Sequence, residues 1–251
     1  MSTRIEFWNR MDNYEESIIS LYHRPGTSQL LQRIAAIVTP ETTAADIGCG
    51  HGYFLGELAS AKRILAVDYA QNSIDQARTR APRHTEFLLQ HLAELALPEP
   101  VDLALCFSAL MPENHTQALL MLERLTHSIK AGGTLLLVVP AMESLLYVIN
   151  QVHYHEVRQG REKESISQRM SEFLSTFNNP LGYVRSSNGQ VTKYWLAEEI
   201  VSQLQQAGRT MGLEQFKVPV TWRDYAAEAD WQQAVQPPWF WGWQITCGVE
   251  S

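Results

Sequence analysis

Five short, continuous apolar runs separated by amphipathic stretches constrain this chain more than any other feature. They are "TAADIGC" (43–49), "RILAVDY" (63–69), "EFLLQH" (86–91), "DLALCFS" (102–108) and "TLLLVVP" (134–140). Most are unbroken rather than alternating, which is the pattern of parallel strands buried on both faces. The spacing predicts helices at 53–60, 72–80 and 114–130, the last stopped by "AGG" as a glycine C-cap. Strand–helix alternation of this kind predicts an α/β fold: a doubly wound sheet with right-handed crossovers and helices on both faces. Upstream, residues 13–38 read as one or two amphipathic helices broken near "RPG", so 1–40 is expected to form an N-terminal helical cap.

The pattern changes after residue 140. A helix is predicted at 142–160 and another at 164–177. "GYVRSSNGQVTKYW" then carries Asn188-Gly189 between two strand-like runs, a strong hairpin signal. A helix at 197–208 begins with acids and ends at glycine. Two final runs, 213–222 and 241–249, lack a long helix between them and predict an antiparallel pair at the sheet edge. Residues 142–195 therefore read as an insertion, expected to act as a lid, on a single domain spanning 1–251.

The stretch "AADIGCGHGYFLGELA" (44–59) sets Gly48, Gly50 and Gly52 at every second position between a strand and the next predicted helix. Glycines let a backbone take positive φ and approach a ligand closely. A dinucleotide site would space them G-x-G-x-x-G. Here position 53 is Tyr, and Asp46 would repel a pyrophosphate but attract an amine. A second acid, Asp68, lies 22 residues after Asp46 at the end of the next strand. A carboxylate there can accept hydrogen bonds from both hydroxyls of a ribose. A purely structural turn, or Asp68 as a helix cap alone, is the plainer alternative.

On these residues the chain resembles the class I S-adenosylmethionine-dependent methyltransferases. "DIGCGHG" is similar to their first motif and "AVDYA" to their second. "HLAELALPEPVDLALCFSAL" and "IKAGGTLLLVVP" are similar to the segments around their fourth and fifth strands. The resemblance is good over about 30–140, and the tail resembles the family's closing strand pair. It implies a Rossmann-like seven-stranded sheet, mostly parallel with the last strand antiparallel. It also implies S-adenosylmethionine as cofactor and S-adenosylhomocysteine as product.

Carried over residue by residue, the resemblance implies that Gly48, Cys49 and Gly50, with Gly52 in the same turn, line the methionine portion. Asp46 supports the site near the amine. Asp68 holds the ribose, Tyr69 packs on the adenine, and His91 and Leu92 flank its other face. Phe107 and Ser108 lie under the sulfonium, and Tyr14, Tyr22 and Arg24 are candidates to close over the carboxylate. One departure is His91, where the family often has an acid.

The acceptor is expected to be a small molecule, methylated in line. A general base is optional in that chemistry; Glu143 and His153 are the candidates. Tyr147, His153 and Tyr154 either face an acceptor pocket or sit on a partly exposed helix. Two other functional classes remain open: a cofactor- or partner-binding protein without transfer, and a protein methyltransferase. A net charge of −7 and scattered Lys and Arg argue against nucleic acid. "HYH" at 153–155 places its histidines two apart, in different directions on a helix, so no metal is expected. "QPPW" at 236–239 imitates an amino-methylating motif but lies far from the fourth strand, and "PPWFWGW" reads as packing. The three cysteines are few and dispersed, the N-terminus lacks a signal-peptide pattern, and "TLLLVVPAM" is short of the ~20 residues of a membrane span. The expected location is cytoplasmic. No residue pattern selects oxygen, nitrogen, carbon or sulfur as the acceptor atom, or an oligomeric state.

Overall fold

The computed structural model describes Glu6, Asn9 and residues 25–160, 181–185, 191–206, 210–222 and 235–248. Seven strands form one sheet: β1 (Thr43–Ile47), β2 (Arg63–Asp68), β3 (Thr85–Leu89), β4 (Val101–Phe107), β5 (Ile129–Pro140), β8 (Thr210–Pro219) and β9 (Trp239–Cys247). Their order is β3-β2-β1-β4-β5-β9-β8. The first five pair in parallel, and β9 runs antiparallel to both β5 and β8. Six strands therefore share a direction and the last in sequence opposes them, as the run pattern and the resemblance predict. A separate two-stranded ladder joins β6 (Tyr183–Arg185) to β7 (Val191–Lys193). The Asn188-Gly189 turn itself lies outside the described residues.

The helices are α1 (Pro25–Ile37), α2 (Gln71–Arg78), α3 (His115–His127), α4 (Met142–Arg158) and α5 (Ala197–Gln206). Alternating strand residues feed two cores. On one face Ala45, Val67, Cys106 and Leu137 pack with Met121 and Leu125 of α3 and Ile200 of α5. On the other, Ala44, Ala66, Leu105 and Leu136 pack with Leu30 and Ile34 of α1 and Ile74 of α2. Strands buried on both faces explain why the runs are unbroken. Of the expected N-terminal cap, α1 is a helix of the sheet; Arg33 ties it to Glu214 at 2.6 Å and to Gln244 at 2.7 Å. The predicted helix at 164–177 lies outside the described residues.

Two local expectations are corrected. The helix predicted at 53–60 is only a 3₁₀ turn, Leu55–Leu58, with N–H bonds reaching back three residues. Gly56 sits within that turn, and glycine is a poor helix former. The "AGG" segment is not a helix cap. Asn114 caps the start of α3 through its side chain, the helix ends at His127, and the glycines lie within β5. There Gly132 takes φ +79° beside a register shift between Val101 and Leu103. The glycines absorb an irregularity in the ladder instead.

Among the described residues no helix is long and apolar enough to cross a membrane. Among them, too, no group of three or more His, Cys, Asp or Glu is placed to hold a metal ion.

Candidate active site

The strand-to-turn transition after β1 builds the site. Gly48 and Cys49 both donate backbone N–H groups to Val67 O, at 2.7 and 2.9 Å. This folds the chain back over the end of β2. Gly48, Gly50 and Gly52 all take positive φ, +79°, +51° and +76°. At Gly48 a Cβ would also lie 2.1 Å from Ala109 Cβ, so no other residue fits without displacement. Gly52 serves packing: a Cβ there would meet Leu55 Cδ1 at 2.9 Å and Ala77 of α2 at 3.1 Å.

Asp68 braces this turn. Its Oδ2 accepts Gly50 N–H and its Oδ1 accepts Ala70 N–H, both at 2.9 Å. Burial raises its pKa, opposed by backbone hydrogen bonds from Ala70, Gly50 and Tyr69. Asp46, on β1, is 3% exposed and its Oδ2 has no hydrogen-bond partner. Burial first, then the neighbouring Asp68 charge, pushes its pKa up to about 7. Two buried acids thus share one region with no cation between them among the described residues. A positively charged ligand group is the species that relieves such a pair.

A cleft opens at the carboxyl ends of β1, β2, β4 and β5, the position where open α/β sheets bind ligands. Of the sequence-predicted residues, Gly48, Gly50, Asp68, Tyr69, His91, Leu92, Phe107 and Ser108 line it. His91 starts a short 3₁₀ turn, Leu92–Glu94, by accepting Ala93 N–H at Nδ1, 3.2 Å away. Its ring meets Tyr69 edge-on, with centroids 5.2 Å apart. Ser108 has φ 54°, the one positive value for a non-glycine residue among the described positions. Such a conformation is uncommon outside glycine and concentrates at functional sites.

Asp46, Cys49 and Gly52 do not line the cleft, although Ile47 and Gly48, which lie between Asp46 and Cys49, do. Cys49, Cys106 and Cys247 are all buried. Glu143 also lies away from the lining: its Oε1 accepts Ala197 N–H at 2.9 Å and its Oε2 accepts Trp241 Nε1–H at 2.7 Å. His153 is half-buried on α4 and likewise does not line it. Tyr147 donates its hydroxyl to Gln236 O and stacks among Trp222 and Trp239, while Tyr154 is exposed. Tyr14, Tyr22 and Arg24 lie outside the described residues.

Sequence reasoning missed Gln90, Met111, Pro140, Thr192, Tyr194 and Phe240, all of which line the cleft. Thr192 and Tyr194 come from the β7 segment, over a hundred residues from the glycine turn. Period-two alternation along that run could have shown that they share a face. Nothing in the sequence shows which way the hairpin folds.

Residues 44–133, which contain the glycine turn, Asp68, His91 and Ser108, match the family profile described as "Methyltransferase domain". Over these residues the chain is similar to S-adenosylmethionine-dependent methyltransferases. A probable S-adenosylmethionine-dependent methyltransferase of Mycobacterium tuberculosis is 38% identical over 84 residues, covering 32% of this chain and 29% of that protein. The chain thus spans under a third of the length of the curated methyltransferases it matches. Among solved structures, the N-methyltransferase NodS of Bradyrhizobium japonicum WM9, in complex with S-adenosylhomocysteine, aligns with a TM-score of 0.59 at 14% identity. That alignment covers 98% of this chain and 97% of NodS. The 1,6-didemethyltoxoflavin-N1-methyltransferase of Burkholderia thailandensis aligns with a TM-score of 0.57 at 13% identity, covering 95% and 82%. At these identities the structural neighbours establish the methyltransferase fold.

Proposed function

We propose that this chain transfers the methyl group of S-adenosylmethionine, in line, to a small-molecule acceptor held between the glycine turn and the 142–195 insertion. The supporting observation is that one cleft is lined both by Gly48, Gly50 and Asp68 at the ends of β1 and β2 and by Thr192 and Tyr194 of the 142–195 stretch. A walled cleft suits a small acceptor better than an extended polypeptide.

The residues fit the cofactor. A carboxylate offers about four lone-pair sites. Asp68 accepts from Gly50 and Ala70, one on each oxygen, and also from the Tyr69 backbone N–H, which leaves capacity for a ribose hydroxyl. Tyr69, His91 and Leu92 flank the adenine beside it, and Gly48 and Gly50 accommodate the methionine portion. Asp46 sets a negative potential near the ammonium, and Phe107 and Ser108 lie at the sulfonium end. When bound, the cofactor would supply an activated methyl that the acceptor's lone pair takes while sulfur keeps the carbon–sulfur pair, and an O–H or N–H acceptor would lose its proton to solvent as the product leaves. The chain's task is then alignment and exclusion of water, and alignment of this kind reaches effective molarities of about 10⁵–10⁸ M. No dedicated base is assigned, because the oxygens of Glu143 are already engaged within the protein.

The test is incubation of the purified protein with methyl-labelled S-adenosylmethionine and a cell extract. Label is expected in the low-molecular-weight fraction. Label in protein instead identifies a protein methyltransferase. No label, from a folded chain that binds the cofactor, identifies a binding protein without transfer.

A further inference from the structure

The acceptor side of the cleft differs sharply from its cofactor side. Among the described lining residues, Asp68 is the one carboxylate and there is no Lys or Arg. Away from Asp68 the walls include Phe107, Ser108, Met111, Pro140 and Phe240, with Thr192 and Tyr194. This is an apolar, sulfur- and ring-rich surface with hydroxyls on one rim. A charged group brought against it would lose hydration without a counter-charge. A flat ring would gain contact with aromatic and thioether groups.

The hydroxyl rim is fixed by what lies behind it. Side chains alternate along an extended run, so Thr192 and Tyr194 face the cleft while Lys193 and Trp195 point away. Lys193 is 1% exposed, and its Nζ donates to Glu199 Oε2 at 2.8 Å and to Leu181 O. The same ammonium lies 4.8 Å from the Trp195 ring centroid and 5.3 Å from that of Tyr183. Trp195 is bonded to the end of β5, its N–H to Pro140 O at 2.9 Å and its O from Met142 N–H at 3.0 Å. The rim is therefore clamped to the strand end that forms the opposite part of the same wall.

We propose that Thr192 and Tyr194 are specificity-determining residues for the acceptor, and that the acceptor is an uncharged aromatic molecule. This rests on the methyltransferase reading of the cleft and narrows it.

Three probes with one ring system and different charge test it: 2-naphthol, 2-naphthoate and 2-naphthylmethylammonium. Affinity of the full chain for S-adenosylhomocysteine is measured first by calorimetry, and each probe is then titrated into the loaded protein. The expected result is 2-naphthol binding about tenfold or more tighter than either ion. Tyr194→Ala weakens it about tenfold, with S-adenosylhomocysteine affinity retained, and Thr192→Lys shifts preference toward 2-naphthoate. Equal or tighter binding of an ion by the wild type, no binding of 2-naphthol, or both variants behaving as wild type overturns the inference alone. A folded wild-type chain that fails to bind S-adenosylhomocysteine overturns this inference together with the reading beneath it.

Discussion

Gly50 donates its backbone N–H to Asp68 Oδ2 at 2.9 Å, linking the tip of the glycine turn to the end of β2. The carboxylate braces the turn and, in the proposed function, also holds the ribose, so its replacement would act on shape and on binding. Asp68→Asn keeps the volume but loses the charge and one acceptor oxygen. A hydrogen bond to a charged group is worth about 1.5–3 kcal/mol. S-adenosylhomocysteine affinity should therefore fall about 10–100-fold on calorimetric titration. Asp68→Ala combined with Gly50→Val should remove binding altogether. Unchanged affinity in that folded double variant would count decisively against the site.

Asp46 gives a pH signature. Its pKa is raised from 3.8 to about 7 by burial and by Asp68, so the folded state holds the proton more tightly than the unfolded chain. The stability this contributes is fully present below about pH 4 and is lost as pH rises through about 7. Burial and the Asp46 charge push the thiols of Cys49 and Cys106 up, so both stay neutral and add no negative charge beside it. Between pH 5 and 8 the ligand-free wild type should lose about 2 kcal/mol relative to Asp46→Asn. Urea unfolding of both proteins across that range reads the difference. Parallel pH profiles would show that Asp46 ionises normally.

Much of the sheet was legible because buried parallel strands write themselves as unbroken apolar runs. Observed β1, β2 and β4 begin and end within two residues of "TAADIGC", "RILAVDY" and "DLALCFS". The local failures share a cause: glycine marks an exceptional backbone without saying which kind. Gly56 sits in a 3₁₀ turn where a helix was expected, and Gly132 lies inside β5 where a cap was expected. Within the cleft, Gly48, Gly50 and Asp68 were readable as lining residues because local spacing brings them together. Thr192, Tyr194 and Phe240 were not, since long-range chain return alone places them in the cleft.

The clamp behind Thr192 and Tyr194 makes a prediction about stability. Removing one partner of a buried ion pair leaves an uncompensated charge and costs about 3–5 kcal/mol when burial is complete. Glu199 is 18% exposed in its side chain, so Lys193→Met should cost less, about 2–3 kcal/mol. Lys193→Met with Glu199→Gln should recover part of that loss, since no unpaired charge remains. Chemical denaturation of the single and double variants measures the coupling. Strictly additive losses would show that the pair carries no interaction of its own.

Glu143 offers a direct discrimination between a base and a strut. Its two oxygens join α4 to the first residue of α5 and to the indole of Trp241 on β9. Glu143→Gln keeps the length of the side chain but can accept at one oxygen only, so the second donor meets an amide NH₂. An unsatisfied buried donor costs about 1–3 kcal/mol, and the melting temperature should fall by several degrees. A general base contributes about 10²–10⁴-fold to rate. A strut held away from the cleft should instead leave kcat within about threefold, well short of that range. Steady-state methyl transfer by the folded variant, read with its melting curve, separates the two: a hundredfold loss of kcat at unchanged stability would restore Glu143 to the chemistry.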